Sequence, residues 1–131
     1  MKNEKSCGCI IIDNGKVLLV KQTAGHWGFP KGHVEANETE IETAIRETKE
    51  ETNLSVEIVS NARYTMEYAI DEDIHKEVVY FIAKETTNNV IAQESEISDI
   101  KWFSFKEALE TISFDNAKAL LKKVLSDLKL L

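Results

Sequence analysis

Residues 32–54 read GHVEANETEIETAIRETKEETNL, and the fold is decided by how this segment is read. Three glutamates in it, Glu47, Glu50 and Glu51, stand at i, i+3 and i+4. Those positions share one face of an α-helix. Like charges stacked so closely repel, and solubility does not require them. A divalent cation turns the repulsion into binding, because carboxylate oxygens are the ligands that Mg²⁺ and Mn²⁺ prefer. At 100° per residue Ile41, Ala44, Ile45, Thr48 and Thr52 fall on the opposite arc. The spacing therefore predicts a helix over about 38–52, apolar side inward and acidic side toward a cleft. Thr39 with Glu42, or Asn37 with Glu40, supplies a capping box at its start. Gly32, Glu38 and Arg46 precede the cluster, the pattern of a metal site built to hold phosphates.

Outward from this helix, 6–12 and 16–22 are apolar, β-branched runs separated by Asp13-Asn14-Gly15, a hairpin signal. Residues 23–32 read as a shaped loop with a short strand around 27–29. Beyond the helix, 55–69 alternates enough for one or two strands, 70–76 is acidic and turn-like, and 77–84 is a strand. A polar loop is predicted over 86–94, a short strand over 99–103, and helices over 105–112 and 116–131. The order β, β, short β, α, β, β, β, α, α suggests helices covering a mixed sheet. The 131 residues fit one domain, 1–131, with no repeat or linker.

The bulk properties narrow the function classes. Apolar residues make up 43% and charged residues 30%, ordinary for a soluble globular chain. A net charge of −7 disfavours an extended nucleic-acid surface or binding to anionic membrane. No apolar run approaches membrane-spanning length, and MKNEKSCGC lacks the apolar core of a signal peptide, so cytoplasmic residence is expected. Cys7 and Cys9, two apart on a strand, point to the same side, which suits core packing better than a disulfide or a metal shell.

The segment 32–54 resembles the signature of the Nudix hydrolases, G-x5-E-x7-R-E-U-x-E-E-x-G-U, where U is bulky and apolar. Gly32, Glu38, Arg46, Glu47, Glu50, Glu51 and Leu54 occupy matching positions, while Thr48 and Asn53 depart from it. Thr48 has nearly the volume of valine, and Asn is the residue after glycine that best tolerates a left-handed helix end. The resemblance implies an α/β/α sandwich around a mixed β-sheet and metal-dependent hydrolysis of a phosphoanhydride. It implies that Glu47, Glu50 and Glu51 ligate Mg²⁺ (Mn²⁺ being possible), with the Gly32 carbonyl adding an oxygen. Arg46 reaches Glu50 at i+4, and Glu38 supports the loop–helix geometry through a salt bridge or hydrogen bond. Glu50 or Glu51 is one candidate general base; a glutamate from a later loop is the other, Glu96 first and Glu94 behind it.

Residues 26–35, HWGFPKGHVE, look like the corresponding segment of the branch that hydrolyses diadenosine tetraphosphate. In that branch the lysine contacts phosphate, which makes Lys31 the first phosphate-binding candidate. His33 either contacts phosphate, donates a proton or is a loop hydrogen-bonder. Alternation over 76–84 puts Lys76, Val78, Tyr80, Ile82 and Lys84 on one side. A tyrosine flanked by lysines suits base stacking and phosphate binding, with Tyr80 as a plain core aromatic the competing reading. Glu96 stands six residues before Trp102, a spacing shared with the branch. The implied partner is a nucleoside polyphosphate, split asymmetrically to ATP and AMP, by a monomer or homodimer. Oxidised nucleoside triphosphates, ADP-ribose or an RNA 5′-triphosphate end are alternatives, as is a non-catalytic nucleotide-binding module.

Overall fold

A computed structural model describes residues 2–130. The chain runs β1 (Lys2–Asp13), β2 (Lys16–Gln22), β3 (Trp27–Gly28), β4 (Lys31–His33), α1 (Glu40–Thr52), β5 (Val56–Ile58) and β6 (Tyr64–Ala69). It continues through β7 (Ile74–Glu85), β8 (Ile97–Ser104), α2 (Phe105–Thr111) and α3 (Asp115–Asp127). Asn14 and Gly15 both take positive φ, 50° and 76°, in the hairpin between β1 and β2.

Eight strands form a single mixed sheet in the order β3-β2-β1-β7-β5, with β4 on β1, β6 on β7 and β8 on β2. β1 and β7 pair in parallel from Lys2 opposite Ile74 to Ile11 opposite Ala83, and every other pair is antiparallel. Period-two alternation then separates two cores. Cys7, Cys9, Ile11, Val79 and Phe81 pack with Ala44 and Leu54 beneath α1. Ile10, Val78, Tyr80 and Ile82 pack with Ala108, Leu121, Val124 and Leu125 of α2 and α3. The result is the α/β/α sandwich. Both cysteines are free and buried in the α1-side core.

α1 starts at the first of the two capping alternatives. The Thr39 hydroxyl accepts from Glu42 N (3.1 Å), and the Glu42 carboxylate accepts from Thr39 N (2.9 Å). It ends at Asn53, left-handed at φ 65°. Several boundaries differ from the sequence expectation: β1 starts at Lys2 rather than 6, and α3 ends at Asp127 rather than 131. Residues 31–33 are a strand rather than loop, because they pair with Ser6–Gly8 of β1. Gly8 permits that approach, since a Cβ there would overlap the Pro30 carbonyl. β7 begins at Ile74 within the supposed turn, because 74–76 are paired by Lys2–Glu4 on one side and by Tyr68 and Ala69 on the other. β8 begins at Ile97, whose side chain is buried, ahead of the predicted start.

Candidate functional site

Arg46 is the hub of the segment that opens α1. Its Nε donates to Glu38 Oε2 at 2.6 Å and its Nη2 to Glu38 Oε1 and His33 O, both at 2.9 Å. Its Nη1 reaches Glu47 Oε1 at 2.7 Å and Glu50 Oε1 at 3.2 Å. The i+4 contact to Glu50 is therefore present. Glu38 also accepts from Glu35 N (3.1 Å) and Thr43 Oγ1 (2.9 Å), so it knits the loop to the helix. The Arg46 guanidinium, aided by these donors, holds its carboxyl down at about 2.

The three glutamates occupy one region of α1 but differ in environment. Glu51 is only 2% exposed, and its Oε1 accepts from the main-chain N–H of Lys31 at 2.9 Å. Burial pushes its carboxyl up to about 8 against the pull of that N–H, and the charges of Glu47 and Glu96 add to the rise. Glu47 is also raised, chiefly by burial, with Arg46 opposing. Glu50 is the most exposed of the three. Gly32 lies flush against Glu47, so closely that a Cβ would overlap the carboxylate. As they stand, no three His, Cys, Asp or Glu groups among the described residues converge on an ion-sized point. Glu47 and Glu50 turn to Arg46, and Glu51 turns to Lys31. The donor chemistry nevertheless fits a hard divalent cation: three carboxylates, one of them buried with no ion pair among the described residues, beside a main chain stripped of its Cβ.

The polar loop 86–96 lies across the C-terminal end of α1. Ile91 N donates to Thr52 O at 2.9 Å, Gln93 N to Glu51 O at 3.1 Å, and Glu96 N to Gln93 O at 3.0 Å. Glu96 is exposed, and its charge contributes to raising both Glu47 and Glu51. The loop that carries Glu96 is thus bonded to the α1 end at Thr52 and Glu51. Glu94 is exposed and makes no hydrogen bond or ion pair among the described residues.

Lys76 is 6% exposed, and its Nζ lies 3.3 Å from His33 Nε2. No carboxylate among the described residues comes within ion-pair reach of it, and burial, then Lys31, lowers its pKa. His33 itself is exposed, with Glu4 3.9 Å away. Tyr80, read from the sequence either as a base-stacking residue or as a core aromatic, is buried in the core and lines the inner wall of the pocket described below. It is 2% exposed, and Phe29 covers its ring edge-on at 5.2 Å between centroids. Burial drives its phenol far above the usual range. The alternation placed its face correctly, but that part of the face lies beneath α2 and α3.

The accessible aromatics lie a short way along the same face. A pocket of about 430 Å³ is lined by Lys31, Tyr68, His26, Trp27, Met66 and Phe114, among others. Tyr68 and Phe114 are exposed, and the Phe114 ring stands 4.9 Å from His26. Trp27 fixes that wall: its N–H donates to Ser113 Oγ at 2.8 Å, and its carbonyl accepts from Ser113 N at 3.1 Å. Sequence reasoning missed Tyr68, Phe114 and His26. The available signal was Tyr64-Thr65-Met66-Glu67-Tyr68, whose alternation puts Tyr68 on the Met66 side, next to Lys76 in register.

Comparison with known proteins agrees with this geometry. The NUDIX domain family matches residues 2–124. The mouse (Mus musculus) bis(5′-nucleosyl)-tetraphosphatase [asymmetrical] is 33% identical over 135 aligned positions, covering 91% of each chain. Phosphatase NudJ of Escherichia coli is 30% identical, covering 83% of this chain and 73% of its own. The crystal structure of a C. elegans Ap4A hydrolase binary complex superposes with a TM-score of 0.85 at 30% identity, covering 96% of this chain and 98% of that one. No helix among the described residues is long and apolar enough to cross a membrane. With the spacing of the signature's Gly, Glu and Arg positions kept from Gly32 to Glu51 on a matching fold, the chain belongs to the Nudix hydrolase family.

Proposed function

We propose that this protein, acting as one domain, hydrolyses diadenosine tetraphosphate asymmetrically to ATP and AMP. The observation that carries the reading is the junction at Lys31. Its side chain bounds the aromatic pocket, and its main-chain N–H is held by Glu51 on the glutamate face. A nucleoside seated in that pocket directs its phosphates past Lys31 toward α1. The pocket is of the size that takes one such group.

Tyr68 and Phe114 supply the exposed rings for the base, in place of Tyr80. Lys31 and Lys76 are the cations for the phosphate chain, with His33 positioning the Lys76 ammonium. Glu47, Glu50, Glu51 and the Gly32 carbonyl would hold Mg²⁺ or Mn²⁺. That ion supplies charge neutralisation to the phosphates and makes a nearby water easier to deprotonate. Glu96 takes the proton as the water oxygen attacks phosphorus. The P–O anhydride bond breaks, and the leaving phosphate departs with the bonding pair. Arg46 and Glu38 keep the loop and helix in register. The relatives named for bis(5′-nucleosyl)-tetraphosphatase activity support this substrate over the alternatives.

A panel of diadenosine tetraphosphate, ordinary and oxidised nucleoside triphosphates, ADP-ribose and triphosphorylated RNA, each with Mg²⁺, tests the reading. The highest kcat/KM is expected on diadenosine tetraphosphate, and Glu51→Gln should abolish it. A higher value on another member discards the substrate. No turnover on any member, with metal bound, leaves a nucleotide-binding module.

A further inference from the structure

We propose that Asn53 is a positioning residue, its side chain tying the 86–96 loop to the end of α1 and so holding Glu96 over the glutamate face. Asn53 stands where the Nudix signature has glycine. The left-handed backbone at φ 65°, with its N–H on Lys49 O at 2.9 Å, is a conformation that glycine adopts more easily. The helix end therefore does not explain the asparagine. Its side chain does something glycine cannot: Nδ2 donates to Asn89 O at 2.9 Å.

That bond is one of a series. Ile91 N and Gln93 N follow on the carbonyls of Thr52 and Glu51, acceptors that a helix end otherwise leaves open. Gln93 O then takes both Glu96 N and Ile97 N, and Glu96 O accepts from Thr23 N at 2.9 Å. The loop has little apolar anchorage of its own. Val90 packs against the α1-side core, while Ile91 is 56% exposed. The loop's start is tied to Ser55, where Thr87 Oγ1 accepts from Ser55 N at 3.0 Å and Thr86 Oγ1 donates to Ser55 O at 3.1 Å, and the Asn53 amide is the side-chain contact that follows, between those bonds and the ones to Thr52 and Glu51. The effect on catalysis rests on the role given to Glu96 under the proposed function; the tether does not.

Asn53→Gly separates the two jobs, since it keeps the left-handed backbone and removes only the amide. The expected result is an unchanged melting temperature and KM, with kcat lowered about three- to tenfold, the scale of one hydrogen bond. Amide hydrogen exchange at Ile91 and Gln93 should accelerate. Asn53→Asp, equally tolerant of the left-handed conformation but unable to donate, should behave alike, and Asn53→His, with a ring donor, should recover part of the loss. In a Glu96→Gln background Asn53→Gly should cost nothing further. Wild-type kcat and exchange in Asn53→Gly would overturn the proposal, as would an equal loss in the Glu96→Gln background. A fully active Glu96→Gln would sink the role of Glu96, while exchange at Ile91 and Gln93 would still decide the tether.

Discussion

The main-chain N–H of Lys31 donates to the buried Oε1 of Glu51 at 2.9 Å, so a residue bounding the aromatic pocket is fastened to the least exposed of the three clustered carboxylates of α1. Pocket and glutamate face therefore cannot shift independently, and the geometry of one is transmitted to the other.

Glu51→Gln retains volume and removes the charge. Turnover should fall by about 100-fold or more. Mg²⁺ at a hundredfold excess over its dissociation constant should stabilise the wild type by about 2.7 kcal/mol. Thermal melts with and without Mg²⁺ check this; the variant should gain clearly less, and an equal gain would remove Glu51 from the ligand set.

The exchange of roles between two tyrosines is testable by paired substitutions. Tyr68→Ala should raise KM about tenfold, the scale of one lost stacking partner, with the melting temperature unchanged. Tyr80→Ala should cost about 3–5 kcal/mol of stability by opening a cavity against Phe29. Steady-state kinetics alongside denaturant melts distinguish them, and the reverse pattern would restore Tyr80 as the base-binding residue.

Lys76 carries a buried cation with no carboxylate in reach among the described residues. Lys76→Met should stabilise the protein by about 1 kcal/mol through relief of desolvation. It should also raise KM about tenfold or more through loss of a phosphate contact. A destabilised variant with normal KM would make Lys76 a structural residue.

Acid stability should depend on Glu40, which accepts from Arg63 Nε and Nη2 at 2.7 Å and from Lys5 Nζ at 2.8 Å. Arg63, then Lys5, hold its carboxyl down at about 2, below its ordinary 4.5. A depressed carboxyl contributes stability that is complete above 4.5 and is lost as pH falls toward 2. Between pH 6 and pH 2.5 the melting temperature of the wild type should therefore fall more steeply than that of Glu40→Gln. Parallel slopes would contradict the pairing.

The parts of the fold that are readable from the chain are those whose own pattern decides them. α1 announces itself through 100° periodicity and the Thr39–Glu42 box, and the first hairpin through Asn14-Gly15. β4 and the start of β7 do not, because Lys31–His33 and Ile74–Lys76 lack an apolar alternation and are strands only through pairing to β1. The same limit governs the site. Gly32, Arg46 and the three glutamates are fixed by spacing along one helix and the segment before it. Tyr80 and Tyr68 lie on one sheet face, and only the packing of α2 and α3 decides which of them is covered. Asn53 was legible as a left-handed residue, whereas its link to Asn89 depends on where a loop 36 residues later comes to rest.

The most direct measurement is chromatographic product analysis of diadenosine tetraphosphate incubated with pure protein and Mg²⁺. Equal amounts of ATP and AMP, formed from the first turnover, are the predicted result. Two equivalents of ADP, or intact substrate under conditions where Mg²⁺ is bound, would contradict the proposed function.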